Sequence, residues 1–490
     1  MISSDKTSII PDLSEAQTPT EAKTEVKKGV VVHLGYGNVA KVKTLPASYN
    51  LKLQGDIDRD TPILIVDNPK QSLTESQLRN DVKNELKETQ PDTILNEYLQ
   101  HLYYLEGDIT DVEFIKNKLL PKIAELEEKY NLSGHRIYYL ALPPQFFNAT
   151  IKALGEAGLF TDRTNKIVVE KPVGQDRKTA QVIIDTSRQY CLPSQVYFID
   201  HYNGKESIRN ILYYRFANPW LEAILNRQYI EYIEINLPEN NTVGIRNFPG
   251  SFPDMVPNHV MQMLAWLLMD APNSLNPEDI AAAKAKLLSA TVVDADSLVL
   301  GSYQSEGNHL YCAFKAFVNN YRWAGVPIYN RTGKALFGKI NEAIFHLKSI
   351  PPVLFETAKP NQLTFRMQPH EGIYFDNEIK ELGSNQLVTK TLSLPYQKAF
   401  GSPSREAYEP LILECMKSDQ TWFVSAEEIL ASWDAVAPIM ERLNAPETNG
   451  HGLTIHHYER GTDGPDAAQE IMIRDGRRWS DLSERLNCYQ

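Results

Sequence analysis

An apolar run, Val30-Val31-Val32, leads into Gly35-Tyr36-Gly37-Asn38-Val39-Ala40 and then into a helical pattern. A strand followed by Gly-x-Gly-x-x-Ala and a helix restricts a chain to few folds. The small residues permit a tight turn and let the backbone approach a pyrophosphate at the helix N-terminus. Gly35, Tyr36, Gly37, Asn38 and Val39 are therefore candidate contacts to a dinucleotide. The following sequence keeps the same rhythm. Ile63-Leu64-Ile65-Val66 reads as a second strand, and Ile137 to Leu142 as a third, stopped by Pro143-Pro144. Ile167 to Glu170 and Val196 to Ile199 supply two more, and a long charged helix begins near Asp111. Strands alternating with helices predict a mostly parallel sheet covered on both faces.

After Lys205 the rhythm changes. A helix through Ile208, Ile211 and Leu212 precedes an alternating strand, Tyr229 to Ile235. His309 to Phe317 and Gln362 to Met367 then read as strands without intervening helices. That pattern predicts an antiparallel sheet with helices on one side. The expected fold is α/β: an N-terminal Rossmann-like coenzyme domain followed by a larger α+β domain with a mostly antiparallel sheet. Residues 1–28, rich in Ser, Thr, Glu and Lys, read as a disordered tail. Residues 29–200 read as the dinucleotide-binding domain and 201–490 as the α+β domain. A chain of 490 residues suits about three units of ~150 residues or two larger α/β units.

With 62 acidic against 50 basic residues the net charge is −12, which disfavours nucleic acid as a partner. An anionic ligand would need a local basic pocket. Cys191, Cys312, Cys415 and Cys488 are scattered, without CxxC spacing or a disulfide framework. No apolar run reaches the ~18 residues of a membrane span, and the start lacks a signal-peptide pattern. These features predict a cytoplasmic protein that does not associate with membranes.

The densest chemistry lies at Ile199-Asp200-His201-Tyr202-Asn203-Gly204-Lys205-Glu206, just after a strand. A carboxylate, an imidazole, a phenol and an ammonium within six residues suit an anionic ligand that must be held and deprotonated. Upstream, Ile167 to Gly174 is a buried-strand pattern ending in Glu170-Lys171-Pro172. Downstream, Asp254 to Leu264 carries a carboxylate and His259 into an apolar helix. These three segments, in this order and spacing, resemble the glucose-6-phosphate dehydrogenase family. Arg215-Phe216-Ala217-Asn218, Gly325 to Leu336, and Arg366-Met367-Gln368-Pro369 are also similar to that family's pattern. The resemblance runs from about Val30 to the C-terminal tail.

The resemblance implies a dehydrogenase that oxidises C1 of an aldose 6-phosphate, foremost glucose 6-phosphate to 6-phosphogluconolactone. It implies His259 as general base, Asp200 orienting its imidazole, and Lys171, before a cis proline, between sugar and nicotinamide. His201, Tyr202, Lys205, Lys334 and Lys339 would grip the 6-phosphate. Glu239 and Asp254 would bind sugar hydroxyls. The family's pairing through its large sheet implies a homodimer or homotetramer. No zinc spacing or nucleophile elbow is evident, and the implied reaction needs no metal.

The chain also departs from the family. Leu34 stands where the first glycine of the family's coenzyme loop would fall, so the loop has moved toward the general Rossmann pattern. Asp67 ends the second strand where the family commonly presents an arginine to the 2′-phosphate of NADP. A carboxylate there accepts from the ribose hydroxyls of NAD and repels a 2′-phosphate. The expected coenzyme is NAD, with NADP possible because Lys70 lies close by. The segment Asn240 to Pro253 is shorter than the family's loop, and Pro257 replaces a common glutamine. A related amino or acetamido hexose 6-phosphate therefore stays open as substrate, as does a catalytically silent paralogue. Ile344 stands where an arginine of a second, structural NADP site would be expected, so that site is not predicted.

Overall fold

The computed structural model describes residues 26–68, 73–86, 92–243, 249–305, 308–401, 403–444 and 453–488. Most of the expected tail and Lys70 lie outside the described residues. The first sheet contains β1 (Gly29–Leu34), β2 (Ile63–Asp67), β3 (Leu102–Glu106), β4 (His135–Leu140), β5 (Lys166–Val169) and β6 (Val196–Phe198). Its order is β3-β2-β1-β4-β5-β6, and every pairing is parallel. β1 is buried at every position, which is why a run of valines suits it. β2 lies on one side of β1 and β4 on the other. A crevice at the carboxyl ends of such strands is where open parallel sheets bind ligands. β3 was not anticipated, because Leu-Tyr-Tyr-Leu-Glu directly follows the helical run Asp92–Gln100 with no glycine or proline to separate them.

Among the described residues the second sheet has nine strands: β7 (Ile230–Pro238), β8 (Thr291–Ser302), β9 (Tyr311–Val318), β10 (Ile328–Gly333), β11 (Asn341–Leu347), β12 (Gln362–Gln368), β13 (Gly372–Lys380), β14 (Leu387–Pro395) and β15 (Ile455–His457). The order is β14-β13-β12-β11-β7-β10-β9-β8-β15. β7 with β10 and β8 with β15 are parallel; the other pairings are antiparallel. The sheet is therefore mostly antiparallel, as the loss of strand–helix alternation predicts. The helix Met261–Leu268 is buried at all eight positions. It packs beside Glu206–Phe216, which also touches β12.

The chain end folds back onto the first sheet. Helices Tyr408–Lys417 and Ala426–Asn444 pack on Leu45–Gln54 and Arg177–Tyr190 respectively, and Val424 N–H donates to the Phe198 carbonyl at 2.9 Å. One continuous apolar core results. A smaller cluster of Tyr311, Tyr329, Tyr458, Met472 and Trp479 anchors the C-terminal segment.

Candidate active site

A crevice forms where β1, β2 and β3 end. Gly35 has φ +102°, and a Cβ there would sit 2.6 Å from the Ala141 carbonyl oxygen, so only glycine fits this turn. At Gly37 the nearest atom to such a Cβ is 3.6 Å away, leaving room for a small side chain. Tyr36 is buried with Lys41 over its ring, so the backbone of this residue is what the loop offers. A cavity of about 240 Å³ is lined by Gly35 and Asp67 together with Gly107, Asp108, Thr110 and Phe146. The last four were not anticipated, since most belong to the turn after the unexpected β3. Tyr36, Gly37, Asn38 and Val39 do not line that cavity. Asp67 ends β2, and its Oδ2 is buried without a hydrogen-bond partner among the described residues. A buried, unpartnered oxygen beside a cavity is costly unless a donor arrives. The hydroxyls of a dinucleotide ribose are such donors, so this crevice fits the cofactor implied by the loop.

The second site gathers residues distant in sequence. His259 Nδ1 lies 2.7 Å from Asp200 Oδ1, and both side chains are buried. His259 sits in a single π-helical turn, Val256–Val260, of the kind that re-aims a side chain within a helix. Asp200 ends the strand side of the site and caps the short turn His201–Gly204, accepting from Tyr202 N–H at 2.9 Å. Burial pushes the Asp200 carboxyl upward, but the charge and hydrogen bond of His259 outweigh it and hold it below the usual carboxylate range. Burial lowers the His259 pKa, against the opposing pull of Asp200. An ionised aspartate beside a neutral imidazole is the state a general base needs.

Around this pair lies a cavity of about 150 Å³, lined by Lys171, His201, Tyr202, Lys205, Glu239, Asp254, His259, Lys334 and Lys339 among others. All nine were singled out from sequence, and the structure brings them together. Tyr202 stacks on the His259 ring with centroids 4.1 Å apart, and its hydroxyl accepts from Asn341 Nδ2 at 2.7 Å. Lys205 Nζ donates to Gln368 Oε1 at 2.8 Å, and burial lowers its pKa to about 8. Lys171 reaches Asp254 Oδ1 at 3.3 Å, and the Lys171–Pro172 peptide is cis. Lys334 pairs closely with Glu239 and lies 4.0 Å from Asp254. That position puts Lys334 against the two acids assigned to sugar hydroxyls. Lys339 is exposed at the rim.

Supporting residues that received no role from sequence hold the cluster in place. Asn203 Nδ2 donates to Gln262 Oε1 at 3.1 Å, and Asn203 Oδ1 accepts from Trp266 Nε1 at 2.9 Å. These contacts tie the Asp200 turn to the helix after His259. Arg215 Nη1 and Nη2 donate to the carbonyls of Trp266 and Met269, closing that helix. Asn203, Gln368 and Arg215 all fall inside segments whose pattern was noticed, so position was a signal even though chemistry was not.

A parallel sheet with a glycine turn, a mostly antiparallel second sheet, and a buried His–Asp pair beside a lysine-rimmed cavity fit a two-domain oxidoreductase of the nicotinamide-dinucleotide class. Residues 31–210 match the family described as glucose-6-phosphate dehydrogenase, NAD binding domain, and residues 212–480 match its C-terminal domain. The chain belongs to the glucose-6-phosphate dehydrogenase family. It is 33% identical to a glucose-6-phosphate 1-dehydrogenase of Aggregatibacter actinomycetemcomitans, covering 92% of this chain and 96% of that protein. Identity to the corresponding protein of Rhizobium meliloti is 32%, covering 92% and 97%. A solved glucose-6-phosphate dehydrogenase in complex with its substrate glucose-6-phosphate superimposes with a TM-score of 0.85 at 29% identity, covering 93% of this chain and 99% of that one.

Proposed function

We propose that this chain oxidises C1 of glucose 6-phosphate to 6-phosphogluconolactone, with NAD preferred over NADP. The buried His259–Asp200 pair at 2.7 Å, inside a cavity rimmed by lysines, carries the reading. His259 takes the C1 hydroxyl proton, while Asp200 orients the imidazole and stabilises the imidazolium that forms. Lys171 binds the C1 oxygen, held ready by Asp254. His201, Tyr202, Lys205 and Lys339 hold the 6-phosphate, and this remote binding energy positions C1. Glu239 and Asp254 meet sugar hydroxyls, with Lys334 between these acids and the phosphate.

Gly35, Asp67 and the adjoining loop would hold the dinucleotide, and when bound it supplies the hydride acceptor. The unpartnered Asp67 Oδ2 supports NAD. The names of the relatives and the substrate named for the solved homologue support glucose 6-phosphate. A related amino or acetamido hexose 6-phosphate is the second reading, because Pro257 and the short Asn240–Pro253 segment lie on the sugar side; residues 244–248 lie outside the described residues.

Residues 29–200 act as the coenzyme domain and 201–490 as the substrate domain, supported by the change of sheet between β6 and β7. The protein works in the cytoplasm as a homodimer or homotetramer through the second sheet. Free cysteines at all four positions suit that compartment, and among the described residues no helix is long and apolar enough to cross a membrane. The test is NADH and NADPH formation from a panel of hexose 6-phosphates. A faster amino or acetamido sugar selects the second reading, and no reduction with any of them establishes a silent paralogue.

A further inference from the structure

We infer that the chain carries a second anion site, remote from the substrate cavity, that takes a phosphoryl group. It is a groove of about 430 Å³ lined by Arg227, Gln228, Glu231, Gly325, Lys348 and Arg477 among others. The groove lies beside the starts of β7 and β10 and the end of β11. Glu239, Lys334 and Asn341 of the substrate cavity lie at the opposite ends of the same three strands. A nine-residue strand such as β7 spans about 30 Å at ~3.3 Å per residue. The two sites are therefore separate, on one rigid element.

Charge makes this groove unusual for the chain that contains it. The protein is acidic overall, at −12, yet three cations converge here against one carboxylate. That carboxylate, Glu231, accepts from Arg477 Nη2 at 2.5 Å. Arg227 and Lys348 have no carboxylate partner among the described residues. The Arg227 guanidinium lies 5.5 Å from the Tyr321 ring centre. Lys348 Nζ donates to the Arg227 carbonyl at 2.9 Å, which leaves two of its three protons for another acceptor.

The fold fixes the backbone that carries Arg227 and Lys348, and it holds the Arg477 side chain itself. Arg227 N–H donates to the Arg322 carbonyl at 2.8 Å, and Lys348 N–H to the Tyr229 carbonyl at 2.8 Å. Arg477 is fixed by the Tyr329 hydroxyl at 2.9 Å and by the Tyr232 ring, 4.9 Å away. Gly325, at φ +85° with open space beyond it, puts no side chain over the opening. Guanidinium forks and a lysine point charge are the chemistry that recognises phosphate. Because Arg227 and Lys348 are exposed, binding is salt-sensitive.

Inorganic pyrophosphate is the probe, titrated calorimetrically at low and moderate salt. Pyrophosphate also fits the substrate's phosphate pocket and the glycine turn of the first domain, so the parent protein is Lys205→Ala, titrated with saturating NAD present throughout. The parent should bind pyrophosphate, and adding Arg227→Ser with Lys348→Ser should weaken that binding at least tenfold. Gln228→Glu removes no cation but places a negative charge in the groove, and it should also weaken binding and flatten the salt dependence. In the otherwise wild-type protein, Arg227→Ser with Lys348→Ser should leave turnover unchanged. Loss of all pyrophosphate binding in Lys205→Ala alone, or equal affinity in parent and groove variants, would overturn the assignment.

Discussion

The proposed preference for NAD rests on one side chain, Asp67, and replacing it with alanine should weaken that preference. Asp67 Oδ2 is buried without a partner among the described residues on the wall of the coenzyme cavity. A hydrogen bond from a ribose hydroxyl to such a charged oxygen contributes about 1.5–3 kcal/mol. Its loss in Asp67→Ala should therefore lower kcat/KM with NAD by roughly ten- to a hundredfold at 1.4 kcal/mol per decade. NADP should change the other way. Two unit charges ~4 Å apart in water repel by about 1 kcal/mol, and a 2′-phosphate carries close to two, so removing the carboxylate should relieve about 2 kcal/mol. The NAD-to-NADP ratio of kcat/KM should then fall by at least ~100-fold, combining these two changes. Asp67→Asn, which keeps an acceptor but loses the charge, should fall between the two. Steady-state kinetics with both coenzymes decide the matter. A wild-type enzyme that prefers NADP tenfold, or an Asp67→Ala variant that slows both coenzymes equally, would refute the reasoning and direct attention to Lys70.

Three further outcomes test the substrate site and the loop. His259→Asn should cut kcat by ~10²–10⁴-fold, the range for losing a general base, with substrate KM nearly unchanged; an unaltered rate would remove His259 from the mechanism. Burial lowers the His259 pKa below its ordinary value of 6.5, and a general base acts in its neutral form. The pH profile of kcat/KM should therefore be flat on this limb near neutrality and fall only in acid, and a limb rising above pH 7 that His259→Asn abolishes would contradict that. Lys205→Ala should weaken a 6-phosphorylated sugar far more than its unphosphorylated analogue, and equal effects would make Lys205 structural. Gly35→Ala should destabilise the fold and weaken the dinucleotide, because a Cβ would lie 2.6 Å from the Ala141 carbonyl oxygen at φ +102°. Backbone strain of that kind costs about 1–3 kcal/mol, so an unchanged melting temperature and coenzyme KM would show that the turn relaxes freely.

Sequence alone was enough for whatever is local. The strand–glycine–helix unit, the end of β2 at Asp67 and the ligand-rich turn after β6 depend on neighbours in the chain, because turn geometry and strand burial are set over a few residues. The loss of strand–helix alternation after Lys205 likewise announced a second, mostly antiparallel sheet. β3 stayed hidden because its residues suit helix and strand alike, and pairing with β2 decided between them. The site itself was decided by tertiary structure. Asp200 and His259 come from different elements, as do Lys334 and Glu239, and Gln368 reaches Lys205 from the end of β12. Nothing in the spacing of these residues sets a 2.7 Å contact. The pKa shifts of Asp200 and His259 were also beyond the sequence, because they follow from burial and from charges gathered by distant segments. The groove at Arg227, Lys348 and Arg477 belongs to the same category: three ordinary surface cations in the sequence become one charge centre only because β7, β11 and the chain end meet there.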